Sequence, residues 1–201
     1  MQVPGFGRVR MDIAYGGMFY AIVDAASVGL RLEPSRGREI CRLGEMIKVA
    51  AREQHPVGHP ELDYPGPDIL VFRESASRMA CGGLRARNAV VMSNNVLDWS
   101  RPETWTGMLD RSPCGTGTCA VMAALHARGE LPLGTPFHHE SILGTTFVGQ
   151  LQEHAAVGAG ARAVRGVVPT LRGQAWITQY ATVVCHPTDP FPEGYTVGDI
   201  W

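Results

Sequence analysis

Asp110-Arg111-Ser112-Pro113-Cys114-Gly115-Thr116-Gly117-Thr118-Cys119-Ala120 runs straight into Val121-Met122-Ala123-Ala124-Leu125-His126-Ala127. Small turn-forming residues surround a cysteine, and the Ala/Leu/Met run that follows, with apolar spacing at Ala120, Ala123, Ala124 and Ala127, predicts a helix that Gly129 ends. Cys114 then sits at the mouth of that helix. Two glycines within three positions permit positive φ, so the backbone can curl and aim several N–H groups at one point before the positive end of the helix dipole. Such a pocket binds an anion and favours a thiolate: a free cysteine titrates near about 8.5, and a helix N-terminus lowers that value. Cys114 is therefore the candidate base or nucleophile. The competing reading of the same residues is a small inert cysteine before a loop with a capping threonine. A triphosphate-binding loop is excluded, because no Gly-Lys-Ser/Thr follows the glycines.

Working outward, 201 residues with 45% hydrophobic content suffice for one sizeable core. The formal net charge is −1 and the charged residues are scattered, which leaves no electrostatic footprint for nucleic acid or an anionic membrane. The apolar stretches are far shorter than a membrane span, and Met1-Gln2-Val3-Pro4-Gly5 lacks a signal core, so a soluble cytoplasmic protein is expected. Five cysteines without close pairing argue for reduced thiols and against a structural zinc site.

Residues 3–13 alternate weakly before Tyr15-Gly16-Gly17, whose glycines read as a bulge or tight bend, and Phe19 to Val23 reads as a strand. After Pro34-Ser35-Arg36, apolar residues at Ile40, Leu43, Ile47 and Ala50 predict a helix to Gln54, stopped by His55-Pro56. Flanking prolines forbid a regular helix around His55 and His59, so these read as solvated loop histidines rather than metal ligands. Asp68–Phe72 and Asn88–Met92 read as strands joined by an irregular Glu74–Arg87 connection, Asn94-Asn95 as a turn, and Trp99–Met108 as a loop whose tryptophans wall the site or cover the core. Phe137–Ser141 and Thr145–Leu151 look extended around Leu143-Gly144, which sends His138 and His139 to opposite faces. Arg162–Pro169, Gln174–Ile177 and Ala181–Cys185 complete the predicted strands, before a tail rich in proline and glycine. Several strands with two helices make an α+β domain.

The stretch from Asp110 to Thr118 resembles the second catalytic motif of the proline racemase and 4-hydroxyproline 2-epimerase family, relatives of diaminopimelate epimerase. Asp12–Asp24, Glu140–Phe147, Pro169 with Gly173–Ile177, and Asp189-Pro190-Phe191 with Gly194-Tyr195 are similar to family segments in the same order. The resemblance implies a diaminopimelate epimerase-like lobe, a mostly antiparallel sheet curled around a central helix starting near Gly115. It divides the chain into residues 1–17 as a strand resembling the end of an absent N-terminal lobe, with its sheet partners largely missing, 18–185 as the C-terminal lobe, and 186–201 as a C-terminal return segment. The family's earlier half carries a first cysteine in a Met-Cys-Gly-His motif that does not occur here; Cys81-Gly82-Gly83 lacks the histidine. The chain is therefore expected to be the second half of a two-half enzyme.

What the resemblance implies chemically is inversion of the α-carbon of proline or 4-hydroxyproline without a cofactor or metal. Removing a proton from one face and returning one to the other calls for two groups of similar acidity, and Cys114 is expected to supply one of them. The N–H groups of Gly115, Thr116 and Gly117 are expected to hold the substrate carboxylate, and Asp110 its ring ammonium. Cysteine at position 114, where the family's dehydratases have threonine, favours epimerisation over dehydration. The tail from Asp189 to Trp201 tips the substrate toward hydroxyproline. Expected partners are an imino-acid substrate and either a second copy or a complementary N-terminal half. The rival reading is a truncated amino-acid binding or interaction module without catalysis.

Overall fold

A computed structural model describes residues 1–80, 82–93, 97–160 and 163–194. Cys81, the Asn94-Asn95 turn, Arg162 and the tail from Tyr195 lie outside the described residues. In chain order the elements are β1 (Gln2–Val3), β2 (Gly7–Arg8), β3 (Asp12–Tyr15), β4 (Phe19–Asp24), α1 (Gly37–Gln54), β5 (Val57–Gly58), β6 (Pro65–Gly66), β7 (Ile69–Arg73), β8 (Ser77–Arg78), β9 (Leu84–Ser93), β10 (Gly107–Leu109), α2 (Gly115–Ala127), β11 (Phe137–Glu140), β12 (Thr146–Val157) and β13 (Val164–Arg172). Nine strands join in one sheet, whose main path runs β13-β12-β11-β9-β7-β4-β3, with β8 and β10 also paired to β9. β4 with β7 and β11 with β9 are parallel, and the other pairs are antiparallel.

The two-residue period of the strands divides the core between the two helices. Ala21, Val23, Leu70, Phe72, Ala89 and Val91 meet Ile40, Leu43 and Ile47 of α1 on one face. Tyr20, Ile22, Val71 and Val90 point the other way and pack with Ala120, Val121, Met122 and Leu125 of α2. β3, β4, β12 and β13 all contact α2, so the sheet curls around it as the resemblance implied. Among the described residues no helix is long and apolar enough to cross a membrane.

α1 follows its predicted span, with a 3-10 turn over Pro34–Arg36 at its start and His55 at its end. α2 ends at Ala127, and Gly129 at φ 74 turns the chain by accepting the left-handed conformation that favours glycine. Its packing departs from the predicted face: Ala127 is exposed and Ala123 and Ala124 are only half-buried, while Val121, Met122 and Leu125 carry the core contact. A helix enclosed from several sides has no single buried stripe for a periodicity to reveal.

Within residues 1–17, β1 pairs with β2, and β3 pairs with β4 in the main sheet. Two other expectations are corrected. Glu74–Arg87 is not an irregular connection, since β8 pairs back on the start of β9. Gln174–Ile177 and Ala181–Cys185 form no strand; Trp176, Ile177, Tyr180, Val183 and Val184 are all exposed. β-propensity expresses fit to a neighbouring strand, and no strand is paired with these segments among the described residues. Trp99 and Trp105 meet edge-to-face with each other and pack against the α1 core, and so cover it.

Candidate functional site

The sequence Asp110–Cys114 becomes a pair of nested turns. The Asp110 carboxylate oxygen Oδ1 accepts the N–H of Ser112 at 2.8 Å, and the Ser112 hydroxyl accepts the N–H of Cys114 at 3.0 Å. Short polar side chains close such turns by bonding backbone two residues on. The main chain then enters α2 with Cys114 as its N-cap, at φ 63 and ψ 122. Among the described residues Cys114 is the one non-glycine with positive φ. A side chain held there costs about 1–3 kcal/mol, and such strain clusters at sites where a group must be aimed.

The surroundings hold that conformation from several directions. Thr118, one turn into α2, donates its hydroxyl to the carbonyl of Cys114 at 2.7 Å. With that proton committed, His139 Nδ1–H donates to Thr118 Oγ1 across 2.9 Å, and His139 Nε2 is buried without a partner among the described residues. Burial, and secondarily the charge of Arg73, bring the His139 pKa down to about 3, so the imidazole is neutral. Asn88 on β9 donates its amide to the carbonyl of Pro113 at 2.8 Å. Behind the loop, Glu140 pairs with Arg85 and Arg87. The hydrogen bond from Arg85 is the first cause that holds the Glu140 carboxyl below its ordinary range, against the opposing effect of burial.

Close backbone approach finishes the site. A Cβ at Gly16, in the β3–β4 turn, would lie 2.2 Å from the Thr116 carbonyl oxygen and 2.4 Å from the Ala120 nitrogen. The Gly16-Gly17 bend is thus both the tight turn that the sequence predicts and a seat for the first turns of α2. A Cβ at Gly117 would come within 3.3 Å of the Cys114 sulfur and of Tyr20.

Cys114 is half-buried and a free thiol. Its Sγ lies 3.3 Å from the Tyr20 hydroxyl and 3.7 Å from Thr116 Oγ1, and the two hydroxyls are 2.6 Å apart. Gly115, Thr116 and Gly117 are the first three residues of α2, whose N–H groups have no acceptor within a helix. Asp110 is placed at the same loop, and its charge is felt by Tyr20. Cys114, Gly115, Thr116 and Gly117 are therefore gathered at one point, with Asp110 at the head of the turn. Cys119 lies farther along α2, where burial pushes its thiol up, with a smaller effect from the charge of Cys114. A groove of about 980 Å³ runs from Gly16 and Gly17 along Cys119, Ala123, Ala124 and Ala127 toward Arg128; Cys114 is not among its lining residues.

Tyr20, Ser112, Asn88 and His139 escape a reading of the sequence. Alternation along Phe19–Val23 puts Tyr20 and Ile22 on one face but does not say what they meet. The opposite orientation of His138 and His139 is legible and correct: His139 is fully buried and His138 half-buried. Nothing in the sequence links His139 to Thr118. His59 accepts the N–H groups of Glu61 and Leu62 in a loop, and among the described residues no cluster of three His, Cys, Asp or Glu side chains is placed to hold a metal ion.

The family model described as Proline racemase matches residues 1–196. A 4-hydroxyproline 2-epimerase of Streptosporangium roseum is 41% identical over 196 residues, covering 97% of this chain and 53% of that protein. Two solved structures align over 100% of this chain at 32% identity and a TM-score of 0.73: a probable proline racemase from Agrobacterium radiobacter with bound carbonate, and a hydroxyproline epimerase from Agrobacterium vitis with bound trans-4-hydroxy-L-proline. This chain spans 53% and 52% of their respective lengths.

Proposed function

The chain belongs to the proline racemase family, and from that premise we propose that it supplies one proton-transferring face of a cofactor-independent racemase or epimerase acting on 4-hydroxyproline or proline. The observation that carries this reading is the Cys114 thiol, held in a strained conformation at the head of α2 beside three helix-start N–H groups.

In the proposed step the Cys114 thiolate takes the α-proton. The C–H bond breaks, an S–H bond forms, and the electron pair stays on the α-carbon, conjugated with the carboxylate. That developing charge needs fixed donors, and the N–H groups of Gly115, Thr116 and Gly117 with the N-terminal end of the helix dipole offer them. Removing one such donor in enzymes of this general kind costs about 2.7–4 kcal/mol of barrier. Asp110 pairs with the ring ammonium through the oxygen its turn does not use. Reprotonation from the opposite face needs a second acid of similar acidity, and the proposal assigns this to the cysteine of a complementary half, or to a second copy of Cys114. The 4-hydroxyproline named in two of the relatives favours that substrate over proline.

The test is deuterium wash-in at the α-position of trans-4-hydroxy-L-proline, of its C2 epimer, and of both prolines, followed by NMR and chiral separation. Incorporation that Cys114→Ser abolishes supports the proposal. Retention of configuration then marks this thiol acting alone, and inversion marks an opposing acid in place. Binding of the imino acid without any incorporation would overturn the reading and leave a binding module.

A further inference from the structure

Tyr20 comes from β4, carries its phenol into the core with no exposed surface, and ends with its hydroxyl between two groups of the α2 start. We propose that Tyr20 is a positioning residue for the thiol: its O–H donates to the Cys114 sulfur, the Thr116 O–H donates to Tyr20 Oη, and the pair holds the sulfur in its ionised form. The inference rests on the reading of Cys114 as the base, and it adds a group that acts on the base without touching substrate.

The direction of the two hydrogen bonds follows from proton counting. Each hydroxyl has one proton and two acceptor lone pairs, and a thiolate only accepts. Across the 2.6 Å contact one of the two hydroxyls must donate to the other. If Tyr20 donated to Thr116, the sulfur would keep only the Thr116 hydroxyl, at 3.7 Å. The reverse arrangement gives the sulfur the nearer donor, at 3.3 Å, and the more acidic of the two hydroxyls. Burial, then the bond to Cys114, push the phenol well above its ordinary range, while the Thr116 bond acts the other way, so the proton stays on Tyr20. The charges facing this hydroxyl from the neighbouring loop are Cys114 itself and Asp110, both of which disfavour a tyrosinate. The backbone conformation of Cys114 and the missing Cβ of Gly117 are what allow sulfur and phenol to meet.

A hydrogen bond to a charged acceptor is stronger than one to a neutral group, so its loss favours the neutral thiol. Tyr20→Phe keeps the ring and removes the donor. The readout is the rate of iodoacetamide alkylation of Cys114 against pH on the full chain, followed by peptide mass spectrometry, with the exposed Cys185 as the internal reference. The expected result is a half-plateau point raised by about one pH unit, a rate near pH 7 about tenfold lower, an unchanged plateau at high pH, and an unchanged Cys185 rate. Thr116→Ser retains the relay and is expected to keep the parental profile, while Thr116→Val removes the donor that Tyr20 Oη accepts, weakens the bond from Tyr20 to the sulfur and lowers the rate by about two- to threefold; this pair serves if Tyr20→Phe does not fold. A Tyr20→Phe profile that superimposes on the parent, or one that loses only its plateau, overturns the inference. So does a Thr116→Val profile identical to that of Thr116→Ser. No substrate enters the measurement, so its failure is distinguishable from a failure to exchange the α-proton.

Discussion

Replacing His139 with glutamine isolates one titration that the fold imposes. Thr118 bonds the Cys114 carbonyl, and His139 bonds Thr118 from a fully buried position, with its pKa brought down from 6.5 to about 3. A group whose pKa is depressed by folding takes up its proton first in the unfolded chain. Its contribution is therefore complete above about pH 6.5 and is lost progressively as the pH falls toward 3, at up to about 1.4 kcal/mol per unit. With those two values, linkage gives a loss of about 2 kcal/mol between pH 7 and pH 5. This window lies above the acid range in which Glu140 takes part. Glutamine does not titrate, and its amide can still donate to Thr118. Urea unfolding followed by the fluorescence of the packed Trp99 and Trp105 reads the effect as a change in midpoint at constant slope. The parent is expected to lose about 2 kcal/mol between pH 7 and 5, and the variant to lose little. Parallel losses in the two proteins would refute the assignment of a buried neutral imidazole at this position.

Three further outcomes follow from the same geometry. Gly16→Ala pushes a methyl group onto the backbone of Thr116 and Ala120, which cannot swing aside, and is expected to destabilise the chain by about 1–3 kcal/mol in urea unfolding; an unchanged midpoint would show that the turn is not seated on α2. Asp110→Asn keeps an oxygen for the Ser112 N–H, so stability is expected to hold within about 0.5 kcal/mol. The same change is expected to lower kcat/KM for exchange by about 10- to 100-fold through loss of the ammonium pair; loss of stability with unchanged kcat/KM would assign Asp110 to the turn alone. Glu140→Gln removes a carboxyl held below its ordinary range chiefly by Arg85. Its stabilisation is present above about pH 4.5 and lost as the pH falls further, so the variant is expected to show a shallower acid limb in thermal unfolding, and an unchanged limb would contradict the pairing.

Much of the scaffold is written locally. α1 has a proline at its approach, a 3.6-residue apolar stripe and a proline past its end, and its span follows. β4, β7 and β11 carry runs long enough to read, and the glycines at 16–17 and 129 mark turns that exist. α2 shows where such reading stops: its start and end are legible, but its buried side is not, because strands from both ends of the chain surround it. The Trp176–Val184 segment shows the converse, a strand-like composition that is exposed and has no paired neighbour among the described residues. At the site, the cysteine, its glycines and the aspartate are consecutive and can be read as one motif. Tyr20 lies 94 residues from Cys114, and His139 lies 21 residues from Thr118. No local pattern encodes those meetings, since they depend on sheet register and helix placement. The strained φ of Cys114 also emerges only from the assembled turns.

The reactivity of Cys114 in place is what the functional account stands on. Cys185 is exposed and serves as the reference thiol within the same chain, while burial pushes the Cys41 and Cys119 thiols up. Limited iodoacetamide treatment at pH 6, with peptide mass spectrometry, ranks them directly. The account predicts that Cys114 is alkylated first, faster than Cys185, and that trans-4-hydroxy-L-proline protects it. Alkylation of Cys114 no faster than that of Cys185, with no protection by the imino acid, would contradict it.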